Sequence, residues 1–328
     1  MSTAREDGEA VKTILLVGAT GNLGGFIARA LLTKGARLRL LVRPGSRAKL
    51  ATDVAAASEV VENEAGAFDG VYTVVSAIQG GPETIVDAQL NLLRAARAAG
   101  VRRFIPSDYS FNFFGLAEGE NPNSDWRREF ARRAEQERGA VEVVHVLNGC
   151  FLDAGVLFGF LGAFDLEKGE AYLWGDGNEK MEFTTYADTA AYTAEAAVAD
   201  GPLPDRFFVA GESLTFHELV NQTAAGLGRP VTVKKLGRSG CGDRPPPSGR
   251  TRQHVFLAAI DVLARRAERQ GKARSTYERT IPGDSSHRRA RVREDHGCRS
   301  DTDALMYRSL WKQHDVFRDL DGTFVGVG

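Results

Sequence analysis

Three glycines near the start of the chain have the spacing of a phosphate-binding turn. Gly18, Gly21 and Gly24 follow the apolar run TILLVGAT and precede the helix-like stretch GFIARALLTKG. The first glycine would permit a tight turn, the second would let the backbone approach a pyrophosphate, and the third would let the helix pack closely on the strand. Free N–H groups at the start of the helix would then bind phosphate oxygens. This order of strand, glycine turn and helix predicts a dinucleotide site.

The end of the second predicted strand, RLRLLVRP, distinguishes between the two nicotinamide cofactors. An acidic residue there would bind the hydroxyls of the adenosine ribose. This chain instead has Arg43, followed by Arg47 and Lys49. Because a guanidinium suits a phosphate dianion, Arg43 predicts NADP(H), with NAD(H) as the alternative. Arg47 and Lys49 could equally be loop side chains whose charges are simply solvated.

The elements that must position these residues alternate between strand and helix. The pattern predicts strands over 71–78, 101–108 and 141–149 and helices over 82–100 and 123–139. Such alternation predicts an α/β fold, a Rossmann-type doubly wound parallel sheet with ligands at the carboxyl ends of its strands. We expect Asn123 or Ser124 to cap the second helix. The link between SEVVENEA and VYTVV is too short for a crossover helix, so it is either a loop or lacks a helix.

Composition divides the chain into three predicted segments. Residues 1–150 form the nucleotide-binding domain, residues 151–236 form a small α/β substrate lobe with a helix returning to the first domain, and residues 237–328 form a poorly ordered basic tail. The chain has a net charge of −1, but residues 1–236 hold 24 basic and 31 acidic side chains, against 18 and 12 in the tail. Three interpretations of the tail stay open: a disordered segment, a nucleic-acid or partner-binding arm, or a sequence in a different reading frame.

The overall composition excludes several classes of protein. The chain has 328 residues, of which 43% are hydrophobic, enough for a sizeable core. Its three cysteines predict no disulfide framework and favour a reducing, cytoplasmic location. The first ten residues lack an apolar core and no run of 18 uninterrupted apolar residues follows, so neither a signal peptide nor a membrane span is expected. We expect no metal site, and a nucleic-acid partner only if the basic tail is a binding arm.

Longer motifs carry a resemblance to a known family. GATGNLGG, VVSAIQGG, AAGVRRFIPSDYSFNF and HVLNGCFLD together resemble the NmrA-like, isoflavone-reductase-like family of atypical short-chain dehydrogenases. The resemblance extends from about Lys12 to Leu236. It implies a Rossmann fold, binding of NADP(H) or NAD(H), and a small-molecule substrate.

The resemblance also implies a set of site residues. Those expected to bind the cofactor are Gly18, Thr20, Gly21, Asn22, Leu23, Gly24, Arg43, Ser76, Ala77, Gln79, Pro106 and Ser107, with Asp108 and Tyr109 near the nicotinamide. Those expected on the substrate side are Asn148, Cys150 and Phe151. Phe111 and Phe113 could stack on a flat substrate or could equally be core residues. Cys150 is expected to be a buried apolar residue rather than a nucleophile, and His145 to be structural.

The catalytic groups are less clear than the cofactor site. Short-chain dehydrogenases usually pair a Tyr with a Lys four residues later, and no tyrosine in this chain has that partner. The reductases of the resembled family share a Lys at the start of the helix after the PSD loop, where this chain has Arg127 and Arg128. Arg128 could polarise a carbonyl but is a poor proton donor. Asp108 and Tyr109 remain as acid/base candidates, with a turn residue and a pocket-lining residue as their alternatives.

Two functions are therefore predicted. The first is an NADP(H)-dependent oxidoreductase that transfers a hydride between nicotinamide and a small carbonyl, quinone or enone substrate. The second is a non-catalytic NAD(P)-sensing regulator that acts through a protein partner. The missing Tyr–Lys pair favours the second, whereas the intact glycine turn fits both.

Overall fold

The main sheet has six strands, all parallel, in the order β3-β2-β1-β4-β5-β6. The computed structural model describes residues 11–173 and 175–236, except the side chains of 159 and 160. The strands are β1 (Thr13–Val17), β2 (Arg37–Leu41), β3 (Glu59–Val61), β4 (Thr73–Ser76), β5 (Arg103–Ile105) and β6 (Glu142–Val143). The predicted Rossmann-type sheet is confirmed, while the predictions for the tail, 237–328, lie outside the described residues.

Helices cover both faces of this sheet. They are α1 (Asn22–Thr33), α2 (Thr52–Ala56), α3 (Gln89–Ala98) after a π-helical turn (Glu83–Ala88), α4 (Pro122–Glu137) and α5 (Tyr186–Val198). A sixth helix, α6 (Phe216–Leu227), packs in the core of the second lobe, and 3₁₀ turns lie at Arg47–Lys49 and Phe113–Gly115. Leu16 lies in the core cluster that contains residues of α1 and α5, and Leu15 in the cluster that contains residues of α3 and α4. Both leucines are fully buried, which explains why β1 is apolar at consecutive positions.

The connection between β3 and β4 has no crossover helix. Residues 62–72 form a loop, which agrees with the loop alternative. The strand order reverses between β1 and β4, which are neighbours in the sheet. In a doubly wound sheet this reversal opens a crevice at the carboxyl ends of the two strands.

The predicted strand over 141–149 was wrong in extent, because the chain leaves the main sheet halfway along it. Val144 N still donates to Phe104 O at 3.0 Å, but His145 N donates to Asp205 O at 2.7 Å. The segment β7 (His145–Leu147) then pairs with β12 (Arg206–Phe208). The residues after it are thus directed toward the second lobe.

The predicted cap of α4 was also wrong. The helix begins at Pro122, and the side chain of Asn121 accepts a hydrogen bond from Ser124 N at 3.1 Å. Proline fits the first helical position because the N–H that it lacks would have no helical partner there.

Residues after β7 build two small sheets around a separate core. The strands are β8 (Cys150–Phe151), β9 (Phe164–Asp165), β10 (Glu170–Leu173), β11 (Met181–Thr184), β13 (Glu212–Leu214) and β14 (Thr232–Lys235), with a π-helical segment at Gly155–Phe160. Their buried apolar residues include Leu173, Phe183 and Phe216. None of the helices within the described ranges is both long and apolar enough to cross a membrane.

Candidate functional site

The turn between β1 and α1 is packed more closely than any side chain would allow. Gly18 has φ +95°, and a Cβ atom placed there would lie 2.4 Å from Ala77 O, just after β4. A Cβ atom at Gly24 would lie 2.1 Å from Gly18 O. The two glycines therefore let α1 approach β1, and β1 approach the end of β4, at the crevice where a ligand would bind.

The start of α1 is open. Its N-cap is Gly21, which provides no side-chain cap, and its first turn contains no acidic residue. The first intrahelical bond joins Gly25 N to Gly21 O at 2.9 Å, so the N–H groups of the three preceding helical residues have no helical acceptor. Thr20, Gly21 and Asn22 are exposed and Leu23 is half-buried. This combination suits a phosphate, which binds uncapped N–H groups at a helix start.

Arg43 lies two residues beyond β2, at the same edge of the sheet. Its side chain is exposed and makes no hydrogen bond or ion pair with the described residues. Arg47 and Lys49 are exposed as well. The guanidinium of Arg43 is thus available to a phosphate. Arg47 and Lys49 can still be either phosphate-binding residues or loop residues whose charges are simply solvated.

The end of β4 contributes one buried polar group. Ser76 is fully buried, and its hydroxyl has no hydrogen-bond partner among the described residues. Ala77 N donates to Val17 O at 2.8 Å, which joins the ends of β1 and β4, and Gln79 is exposed. A buried hydroxyl without a partner is costly, so such an atom at the crevice is a candidate contact for a ligand.

The loop after β5 is held by polar side chains from distant segments. Ser107 N donates to Gln89 Oε1 at 2.7 Å, and Ser107 Oγ donates to Ile78 O at 2.6 Å. Pro106 and Ser107 are both buried beneath the surrounding residues. Gln89 was not predicted from the sequence, although a glutamine on an otherwise apolar helix face is a signal that could have found it.

Asp108 forms a buried pair with His145. The distance from Asp108 Oδ2 to His145 Nδ1 is 2.6 Å, and the two side chains are 0% and 8% exposed. Asp108 Oδ1 has no partner among the described residues. The rings of Phe113 and Phe114 meet the imidazole edge-on, with ring centroids 6.4 Å and 5.3 Å away. His145, which was predicted to be structural, holds the Asp108 carboxylate in this loop.

Tyr109 is packed into the core beneath α5. It is 8% exposed and belongs to the core cluster that includes residues of α5. Burial raises the pKa of its phenol above the ordinary value, the Asp108 charge raises it further, and Thr193, which lies beside it, opposes both. Its hydroxyl makes no well-formed hydrogen bond with the described residues, and its φ of +33° places it in the left-handed region. The predicted role of Tyr109 in proton transfer stays a prediction.

Arg127 and Arg128, the first two arginines of α4, both have structural partners. Arg128 donates to the carbonyls of Leu116 and Ala117 and forms an ion pair with Asp125. Its guanidinium is therefore occupied, which argues against the predicted contact with a substrate carbonyl.

Arg127 instead braces the loop after β5. Its Nε donates to Asp108 O at 2.9 Å and its Nη1 to Asn123 O at 3.0 Å. Burial lowers the pKa of Arg127, whereas the nearby Asp108 raises it. The charge of this arginine thus faces the backbone of the loop rather than open solvent.

The residues predicted on the substrate side have different environments. Phe113 is fully buried, as expected of a core residue rather than of one that stacks on a substrate, whereas Phe111 is half-buried. Phe151 is half-buried and meets Tyr186 edge-on, with the ring centroids 4.5 Å apart. Burial raises the pKa of the Cys150 thiol to about 12, as expected of an unreactive cysteine.

Asn148 is the most unusual of these residues. It is fully buried, and neither its Oδ1 nor its Nδ2 has a partner among the described residues. Its backbone carbonyl accepts a hydrogen bond from Thr184 Oγ1 at 2.6 Å, which holds the residue in place at the end of β7.

Within the described ranges, no cluster of His, Cys, Asp and Glu could bind a metal ion.

Comparisons with known proteins agree with this geometry. The family model described as "NmrA-like family" matches residues 10–239. Phenylcoumaran benzylic ether reductase PT1 of Pinus taeda is 26% identical over 200 residues, which are 56% of this chain and 64% of that protein. Isoflavone reductase of Glycine max is 29% identical over 214 residues, 56% of this chain and 65% of that one. The chain therefore spans slightly less than two thirds of the length of these relatives.

Solved structures support the same fold. A structure of AtPrR2 with NADP⁺ and (+)pinoresinol superposes with a TM-score of 0.62 at 24% identity and covers 79% of this chain and 88% of that one. The family model matches well over half of the chain. The predicted family resemblance is thus confirmed, and the chain belongs to the NmrA-like family.

Proposed function

We propose that this protein is an NADP(H)-dependent oxidoreductase that acts on a small carbonyl, quinone or enone. The observation that carries the proposal is an open helix start at the carboxyl edge of the main sheet, together with buried polar atoms that have no partner among the described residues. An open helix start suits a pyrophosphate. The unpartnered atoms belong to Ser76, the last residue of β4, to Asp108, in the loop after β5, and to Asn148, directly after β7. Relatives named as reductases support the reaction class.

The residues present fit the cofactor. Gly18 and Gly24 let α1 and the ends of β1 and β4 pack closely at the crevice, α1 offers its N–H groups to the pyrophosphate, and Arg43 offers its guanidinium to the 2′-phosphate. The buried amide of Asn148 can both donate and accept, as recognition of a carboxamide requires. When bound, the cofactor supplies a hydride from its nicotinamide ring.

The chain must supply the proton that a reduced carbonyl oxygen takes up. In this proposal Asp108 carries its proton on Oδ1, and its Oδ2 accepts a hydrogen bond from His145 Nδ1 at 2.6 Å. Because Asp108 Oδ1 has no other partner among the described residues, this carboxyl group is our candidate proton donor, directly or through one water. Asp108 Oδ1 would give this proton to the substrate oxygen, and His145 would hold the carboxylate that remains in position.

The experiment that tests the proposal combines turnover with binding. NADPH oxidation is measured against a panel of quinones, aldehydes and enones, and calorimetry measures the affinities for NADP⁺ and NAD⁺. We expect turnover on at least one class. The variant Arg43→Ala should lower the affinity for NADP⁺ by about tenfold or more and leave the affinity for NAD⁺ nearly unchanged, because only NADP⁺ carries the 2′-phosphate. Equal losses for both cofactors would refute the role of Arg43.

A second candidate function rests on α4. The chain has no lysine in this helix, and Arg128 is held by Leu116, Ala117 and Asp125. These contacts favour an NAD(P)-sensing regulator that signals through a protein partner. Tight cofactor binding without turnover on any substrate would support this candidate and contradict the oxidoreductase.

A further inference from the structure

The turn after β2 contains an acidic group from the neighbouring strand. Ser46 N donates to Arg43 O at 2.9 Å, which closes the turn, and Gly45 adopts φ +75°. Gly45 N donates to Glu62 Oε2 at 3.3 Å. Glu62 directly follows β3, which pairs in parallel with β2. A carboxylate therefore lies against the same turn from which Arg43 extends.

This carboxylate opposes the binding of an anion at the turn. A phosphate there would be bound by the Arg43 guanidinium and by free backbone N–H groups. Glu62 already occupies the N–H of Gly45, and Ser46 N is used within the turn. A carboxylate and a phosphate dianion about 6 Å apart in water repel each other by an energy worth roughly tenfold in affinity. NAD(H) has a hydroxyl in place of the phosphate, and a carboxylate accepts a hydrogen bond from it.

We propose that Glu62 determines cofactor selectivity by counteracting Arg43. Its charge weakens the binding of NADP(H) relative to the binding of NAD(H). The site is therefore less selective for the 2′-phosphate than it would be with Arg43 alone. This inference rests on the proposed function, since it concerns the same cofactor site. The sequence offers no direct sign of it, because Glu62 is 19 residues from Arg43 and reaches the turn only through the β2–β3 pairing.

The test compares two charge-neutralising variants of the full chain. In Glu62→Gln, the side-chain oxygen can still accept from Gly45 N, so the turn is kept while the charge is lost. The control is Glu59→Gln on the same strand, about 10 Å away by strand geometry. Its partner, Arg39, keeps its hydrogen bonds to the carbonyls of Ala67 and Asp69, both at 2.9 Å. Calorimetry then measures the dissociation constants of NADP⁺ and NAD⁺ at low and high salt.

We expect E62Q to bind NADP⁺ about three- to tenfold more tightly, with NAD⁺ unchanged or weaker. This gain should shrink at high salt because exposed charges are screened. E59Q should keep the ratio of the two constants within about twofold of wild type. An unchanged ratio in E62Q, or the same shift in E59Q, would overturn the inference and leave the proposed function standing. A wild-type protein that binds neither cofactor would contradict both.

Discussion

The β1–α1 turn and the loop after β5 lie at the same edge of the sheet but are built by different means. The β1–α1 turn depends on the absence of side chains, because a Cβ atom at Gly18 or Gly24 would collide with backbone atoms. The second depends on side chains from distant segments: Gln89, Arg127 and His145 each bond to it. The first region therefore offers backbone groups for binding, and the second holds the titratable groups that chemistry needs.

The two regions also differ in how their polar groups are satisfied. The open N–H groups of α1 lie next to the exposed residues Thr20, Gly21 and Asn22, so water satisfies them before a ligand binds. The unpartnered atoms of Asp108 and Asn148 are buried, where no partner among the described residues compensates them. Buried groups of this kind cost stability and are retained mainly at functional sites.

The largest expected effect comes from filling the glycine turn. Gly24→Ala would place a Cβ atom 2.1 Å from Gly18 O, so it should lower the free energy of unfolding by ~3 kcal/mol and abolish detectable NADP⁺ binding. Gly25→Ala is the matched control, because its Cβ atom would have no neighbour closer than 3.8 Å. It should raise stability by up to ~1 kcal/mol. Urea unfolding and calorimetry measure both variants, and a G24A protein as stable as G25A would contradict the close packing.

An intermediate effect is expected from the loop after β5. In Asp108→Asn, an amide oxygen can still accept from His145, so the free energy of unfolding should fall by only ~1–2 kcal/mol. Because an amide cannot donate the carboxyl proton, turnover should fall by about 100-fold while NADP⁺ affinity stays within about twofold. Steady-state kinetics and calorimetry separate the two quantities. Turnover equal to wild type would remove Asp108 from the proposed reaction.

The smallest effect is expected at the neighbouring residue. Tyr109→Phe removes a buried hydroxyl that has no well-formed partner among the described residues, so stability should change by less than ~1 kcal/mol and turnover should be retained. Burial raises the pKa of this phenol above its ordinary value of 10.0. The wild-type free energy of unfolding should therefore fall as the pH rises beyond about 10, and that of Y109F should fall less. A large loss of turnover in Y109F would restore Tyr109 as the acid.

Much of the first region could be predicted from the sequence because its determinants are local. The three glycines, the apolar β1 and Arg43 all lie within about 30 residues, and their order alone indicates the turn. The second region was predicted only in part. The motif around Asp108 marked its position, but not its partner His145, which lies 37 residues further along the chain.

The sequence by itself determined the alternation of strands and helices that a doubly wound sheet requires, the glycine turn and the charge after β2, because backbone sterics and hydrophobic periodicity act over short distances. Only the tertiary structure decided which polar groups meet. It buried Tyr109, occupied Arg128, paired Asp108 with His145 and brought Glu62 to the Arg43 turn. These contacts depend on strand pairing and helix packing between distant segments, where a shift of one residue would change every partner.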